Sequence, residues 1–162
     1  MTARTKGLVV AALHIALVGA LGAKLLADRA MLPRVWVEVD PYDPNLPIRG
    51  RYVRLQVKAE ARGFGEPAGD VGYGRGRLTV EGDRLVATPT ESGAGHHVML
   101  RQENERLVAV LSTPVAFFIT EHAVDPSSRP GLMAEVTVPR KGPPRPIRLG
   151  VREGERITPL DL

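Results

Sequence analysis

The chain has 162 residues, 22 lysine and arginine against 18 aspartate and glutamate side chains, and no cysteine. Disulfides, thiolate metal sites and cysteine nucleophiles are therefore excluded, and the length leaves room for one folded domain behind a compositionally distinct N-terminus. The pI of about 9.8 invites a polyanion partner, but the charge is unevenly placed. Residues 1–34 hold five basic side chains and one acidic, so that 17 of each sign remain from Val35 onward and the folded part is formally neutral. The basic balance belongs to the flanks of the N-terminal segment, which removes the main argument for nucleic-acid binding.

From Gly7 to Ala27 the chain reads GLVVAALHIALVGALGAKLLA. As a helix this stretch spans roughly 30 Å, the thickness of a bilayer's hydrocarbon core. Arg4 and Lys6 precede it as an export signal's positive region, and Lys24 stands near the far end, where a lysine can snorkel to the headgroups. Val18-Gly19-Ala20 is a passable cleavage site, yet the apolar run continues past it, which favours an uncleaved signal anchor over a cleaved signal peptide. The expected organisation is a cytoplasmic tail over 1–6, a membrane anchor over 7–27, a linker over 28–34 and an extracytoplasmic domain over 35–162. That topology places the protein in the inner (cytoplasmic) membrane of a bacterium, with the domain facing the periplasm or the exterior. His14 is read as a tolerated histidine that finds a backbone or partner contact.

Beyond Pro33 no segment keeps a helical apolar period, and short alternating runs take over. Val35, Val37 and Val39 share one face of a first strand. In Tyr52–Lys58 the apolar set is Val53, Leu55 and Val57, with Tyr52, Arg54, Gln56 and Lys58 opposite. Arg77–Val80 and Arg84–Thr88 flank Glu81-Gly82-Asp83, and Val98–Gln102 and Arg106–Leu111 flank Glu103-Asn104-Glu105, each reading as a hairpin. Val115–Ile119 reads as a fully apolar strand, and Leu132–Val138 and Ile147–Val151 alternate again. The expectation is an all-β fold, an antiparallel meander of about nine strands forming a small barrel or sandwich after one transmembrane helix. Two stretches break the pattern. Gly63–Gly76 (GFGEPAGDVGYGRG) holds six glycines and is expected to be a long mobile loop, and Pro139–Pro146 (PRKGPPRP) is expected to be a stiff connection between strands.

Candidate chemistry is sparse. The glycine-rich stretch has no GxGxxG and no following helix to offer N–H groups to a phosphate. His96 and His97 are adjacent, so on a strand they point to opposite faces and share a metal only if they lie in a loop. With Glu121 and His122 they form the one set that suggests a metal-dependent hydrolase, though nothing in the spacing requires them to meet. None of Ser92, Ser112, Ser127 and Ser128 sits in a nucleophile context. A membrane helix followed by a β-domain is also the plan of type I signal peptidases, but Asp40–Leu55 has no serine where that family's nucleophile would stand. No cofactor and no metal is expected.

Asp40-Pro41-Tyr42-Asp43-Pro44 followed by Arg49-Gly50-Arg51-Tyr52-Val53-Arg54-Leu55 resembles the signature of the GDYXXLXY family, bacterial membrane-anchored proteins without an established function. Gly50, Tyr52 and Leu55 match fixed letters of that motif. Arg51 replaces its aspartate and Val57 its last tyrosine, so a role depending on that aspartate is absent here. Phe117-Phe118-Ile119-Thr120-Glu121-His122 is similar to a second element of the family, an aromatic strand running into an acidic turn. The resemblance implies an anchored β-domain and supplies no reaction. The reading is a non-catalytic binding or accessory module that contacts an integral membrane protein through Arg49, Gly50, Arg51, Tyr52 and Arg54, since stacking arginine and tyrosine side chains suit interfaces.

Overall fold

The computed structural model describes residues 3–42, 52–67, 69–91, 93 and 95–162. The chain divides into two units, one up to Leu32 and one from Pro33 to Leu162. The first is a single helix, α1 (Ala3–Met31), whose apolar side chains are exposed on every side and whose Arg4–Asp28 portion is long and apolar enough to cross a membrane. Alanine and leucine favour the helix throughout. It stops because Pro33 disfavours helical backbone at the preceding residue, and the Leu32 N–H closes the last turn on the Asp28 carbonyl at 3.0 Å. Where a linker over 28–34 was expected, only Leu32 and Pro33 separate the helix from the first strand. Two polar side chains within the apolar stretch have local partners. His14 Nδ1 donates to the Val10 carbonyl at 2.8 Å, and Lys24 pairs with Asp28 at 3.1 Å.

The second unit is all-β. Its strands are β1 (Arg34–Pro41), β2 (Tyr52–Ala61), β3 (Val71–Glu81), β4 (Arg84–Pro89), β5 (His96–Glu103), β6 (Arg106–Leu111), β7 (Val115–Phe118), β8 (Leu132–Thr137), β9 (Arg145–Glu153) and β10 (Arg156–Pro159). They join in the order β10-β9-β8-β1-β2-β4-β3-β5-β6, with β6 returning to pair with β2 and closing a five-stranded ring. Every pairing is antiparallel except β2 with β4, where Glu60 and Ala61 lie beside Val86 and Ala87. Strand β2 organises the whole. Its first half pairs with β7 (Tyr52↔Phe118 to Leu55↔Val115), its middle with β1 (Leu55↔Pro41 to Val57↔Val39), and its second half with β6 and β4.

The alternation expected for β2 is realised in full. Val53, Leu55, Val57 and Ala59 are buried, while Tyr52, Arg54, Gln56, Lys58 and Glu60 form the opposite face. They join Val35, Val37 and Val39 of β1, Leu85 and Ala87 of β4, Val98 and Leu100 of β5, and Ala134, Val136 and Leu149 in one core. Strand β8 departs from alternation, because all six of its residues are buried. Its second face is covered by side chains from both neighbours. The Trp36 ring, opposite Glu135, reaches across β8 to Gly150, where an added Cβ would meet it at 3.0 Å. Arg148 stacks on Trp36 at 5.3 Å and binds Glu135 at 2.7 Å, and Arg152 binds Glu38 at 2.6 Å. The register slips between Glu135 and Val136, so that Val136 faces Pro146, a residue with no N–H to donate.

Three two-residue turns share one sequence form: Glu81-Gly82-Asp83-Arg84, Glu103-Asn104-Glu105-Arg106 and Glu153-Gly154-Glu155-Arg156. In each the flanking glutamate and arginine are cross-strand partners and the second residue has positive φ, at 62°, 49° and 63°. The third turn leads into β10, which the sequence reading missed because its four residues offer only Ile157 as an apolar marker.

The glycine-rich stretch corrects the expectation of a long loop. Val71–Gly76 belongs to β3 and pairs along its length with β5, from Val71↔Arg101 to Gly76↔His96. Gly72, Gly74 and Gly76 share the inward face with buried Leu78. The preceding segment folds back to fill the space their missing side chains leave: Cβ atoms at Gly74 and Gly76 would meet the Phe64 ring at 3.3 Å, and one at Gly72 would meet Pro67 at 2.9 Å. Phe64 thus supplies, from outside the strand, the apolar surface that three glycines omit.

Two outcomes test these local arguments. Phe64→Ala, emptying that slot beneath a half-buried ring, is expected to destabilise the domain by about 2–3 kcal/mol in urea unfolding. Glu105→Gly is expected to stabilise it by roughly 1 kcal/mol, because Glu105 holds φ at 62° and glycine carries no penalty there.

Candidate functional site

The outer face of β2 begins with an aromatic and cationic row. Tyr52 faces Phe118 of β7 across the ladder, with ring centroids 6.1 Å apart and tilted by 60°. Two residues on, the Arg54 guanidinium lies 4.9 Å from the centre of the Tyr42 ring, and the Tyr42 N–H donates to the Arg54 carbonyl at 2.9 Å. Phe118 is 74% exposed, Tyr52 44% and Tyr42 37%, an unusual amount of aromatic surface in water. The strand beneath is rigid, since Val53 and Leu55 on its other face are fully within the core.

Farther along β2 the face turns from aromatic side chains to internal charge pairing. Lys58 bonds Asp40 of β1 at 3.0 Å and Glu103 of β5 at 3.1 Å, and Arg101 pairs with the same two carboxylates. Two cations and two anions close a neutral quartet. Burial works to lower the Lys58 pKa, but the hydrogen bonds and charges of Asp40 and Glu103 outweigh it and the ammonium is held above its usual value. At the end of the strand Glu60 binds Arg62 at 2.9 Å and Arg84 at 3.3 Å, and these hydrogen bonds hold its carboxyl below the usual range.

Of the sequence-predicted contact residues, Tyr52 and Arg54 stand side by side on one face, while Arg49, Gly50 and Arg51 lie outside the described residues. The row also recruits two residues that sequence reasoning passed over. Phe118 was assigned to a fully apolar strand, yet β7 alternates and leaves it outside. The adjacent pair Phe117-Phe118 carried the signal, because two neighbours on a strand cannot both face a core. Tyr42 joins through the register of β1 on β2, which no local pattern announces.

The histidine set stays apart. His96 and His97 are the first two residues of β5 rather than part of a loop, so they face opposite sides of the sheet. His97 Nε2 accepts from Arg75 Nη2 at 3.0 Å, which occupies a nitrogen a metal would need, and burial lowers the pKa of His96. Glu121 and His122 lie in the turn after β7, and no group of three or more metal-ligating side chains occurs among the described residues. Tyr73, Gly74, Arg75, His97, Val98 and Ser112 line an open groove of about 340 Å³. Ser127 is engaged in a turn, its N–H bonded to Asp125 Oδ1 at 2.8 Å. No protein-family model, no curated protein and no solved structure matches this chain.

The charge quartet makes a pH-dependent prediction. Lys58→Met leaves Asp40 and Glu103 to share Arg101 alone and is expected to cost roughly 1–3 kcal/mol near neutral pH. Because the folded-state pKa of Lys58 is raised, its contribution is complete below the ordinary value of 10.5 and is lost as pH rises through the folded-state value. The gap between wild type and variant in denaturant titrations is therefore expected to narrow as pH rises through that alkaline range.

Proposed function

We propose that this chain is a membrane-anchored binding or accessory module, without catalytic activity of its own, that engages an integral membrane protein through the row formed by Tyr42, Tyr52, Arg54 and Phe118. The observation that carries this reading is the row itself, large aromatic surface from β2, β7 and the end of β1 left in water beside a strand whose other face is the centre of the core. Aromatic and arginine side chains on a rigid support lose little conformational entropy on binding and dominate interface energetics. In this reading α1 is an uncleaved signal anchor in a bacterial inner membrane, with the β-domain on the periplasmic or outer side. Confinement to one membrane face gives the row a high effective concentration toward membrane neighbours, so modest affinity suffices. The partial GDYXXLXY likeness supports the same plan of an anchored β-domain. Arg49, Gly50 and Arg51, which precede Tyr52 in sequence, are proposed as part of the contact.

The test has two arms. Carbonate extraction of bacterial membranes is expected to leave the chain in the pellet, and release of a shortened soluble species overturns the anchor. Photo-crosslinkers at Arg54 and at Phe118 are expected to capture a membrane neighbour that a crosslinker in the Gly82-Asp83 turn does not. Capture from the turn alone overturns the contact surface. Phe118→Ala is expected to weaken the capture about thirtyfold, the effect of a 2 kcal/mol hot spot.

A further inference from the structure

The turn between β8 and β9 lies at the end of the sheet where the chain enters the domain. Strand β8 runs antiparallel to β1 and finishes with Thr137 opposite Arg34, and the Val138 N–H donates to the Pro33 carbonyl at 3.2 Å. Past that point the chain continues beyond the start of β1 through Pro139-Arg140-Lys141-Gly142-Pro143-Pro144 before β9 begins at Arg145. Arg34, Arg140, Lys141 and Arg145 are all exposed there. Thr137 lies between Arg34 and Arg145 in the ladder, so those two arginines emerge on the same face. No acidic residue occurs from Pro139 to Pro146.

We infer that this basic turn is a contact for anionic phospholipid headgroups of the bilayer that α1 crosses, an inference that rests on the anchored reading above. Three observations carry it. The first is reach. Three residue steps separate Met31 from Arg34, which holds Arg34 within about 11 Å of the helix end however the domain tilts. That is about one Debye length at moderate salt, so charges at this pole feel the headgroups. The second is charge separation within a neutral domain. Setting aside Arg140, Lys141 and Arg145 leaves 14 of the 17 basic side chains beyond Arg34 against 17 acidic ones, so the remainder is negative and an anionic surface orients the domain with this pole inward. The third is rigidity. Pro144 is fully buried, Gly142 makes the reversal at a φ of 89°, and Thr137 Oγ1 donates to the Arg145 carbonyl at 3.4 Å. The backbone that carries the charges is thus already ordered, and only the side chains lose freedom on contact. Burial of Pro144 also argues against a polyproline-binding partner, which reads exposed proline rings.

The chain has no cysteine, so a single fluorophore can be placed at Pro143→Cys, or at Asp83→Cys in the exposed β3–β4 turn, of the full-length protein. Reconstitution is into nanodiscs of phosphatidylcholine alone or mixed with phosphatidylglycerol, each carrying a headgroup nitroxide quencher. Flotation with the discs reads the anchor independently of the label. Quenching at position 143 is expected to be stronger with phosphatidylglycerol, and the difference is expected to vanish in molar salt. In the triple variant Arg140→Gln, Lys141→Gln, Arg145→Gln the docked-to-undocked ratio is expected to fall on the order of a hundredfold, about fivefold per charge. Arg140→Lys with Arg145→Lys is expected to retain it, since charge rather than geometry is read, and the label at 83 is expected to be indifferent to lipid. A chain that floats but whose quenching at 143 ignores lipid, salt and the substitutions overturns this inference alone. A chain that does not float overturns the anchor and the inference with it.

Discussion

The structure depends on the hydrogen-bonding demand of one strand. Every backbone N–H and C=O of β2 is flanked by the core, and each of its two edges must be paired. Ten residues meet that demand by dividing it: β7 and β1 take the first part, β6 and β4 the rest. The division closes the ring, because β6 returns to the strand from which β4 departs. It also explains the parallel pair. Strands that alternate in direction cannot close a ring with an odd number of members, so one of the five junctions has to run parallel, and here it is the two-residue contact of β2 with β4. The mismatch is confined to the shortest pairing in the ring, where the weaker parallel geometry costs least.

The same strand sets the polarity of the surface. Its inner residues are aliphatic along the whole length, but its outer residues change chemistry with their neighbours. Where β7 is short and the neighbouring side chains are aromatic, Tyr52 and Arg54 make ring and cation–π contacts. Where β1 and β5 bring carboxylates, Lys58 is consumed in a closed quartet. A row of alternating polar residues thus divides into an aromatic half and an ion-paired half. Neutral pairing of this kind also accounts for a domain with equal numbers of acidic and basic side chains that still keeps a basic pole at its chain entry.

Side chains that bridge over a strand do comparable work elsewhere. Trp36 and Arg148 cover the second face of β8, which explains why Glu135 is buried at 8% exposure and still satisfied. Phe64 does the converse for β3, filling from the inside a face on which the strand itself has only glycine. In both places the covering residue is distant in the ladder or the chain, and composition alone misleads. A glycine-dense segment reads as a loop although it is a strand with one packed face, and a threonine-glutamate alternation reads as a solvated face although its strand is packed on both sides.

What the sequence determined by itself follows from local periods. An apolar run long enough for a bilayer, the two-residue alternation of β1, β2 and β9, and the repeated Glu-Gly/Asn-acid-Arg turns are all properties of contiguous residues, and pleat and helix geometry translate them directly. The pairing of Tyr52 with Arg54 on one face was legible for the same reason. Only the tertiary structure decided which edges meet, and hence the ring, the parallel junction, the exposure of Phe118, the recruitment of Tyr42 and the separation of His96 from His97 by the plane of the sheet. Those outcomes depend on contacts between residues far apart in the chain, and a period of two is indifferent to which strand supplies the partner. The proline-rich turn lies between the two cases: its stiffness could be read from PRKGPPRP, but its position beside the point of chain entry exists only because β8 returns antiparallel to β1.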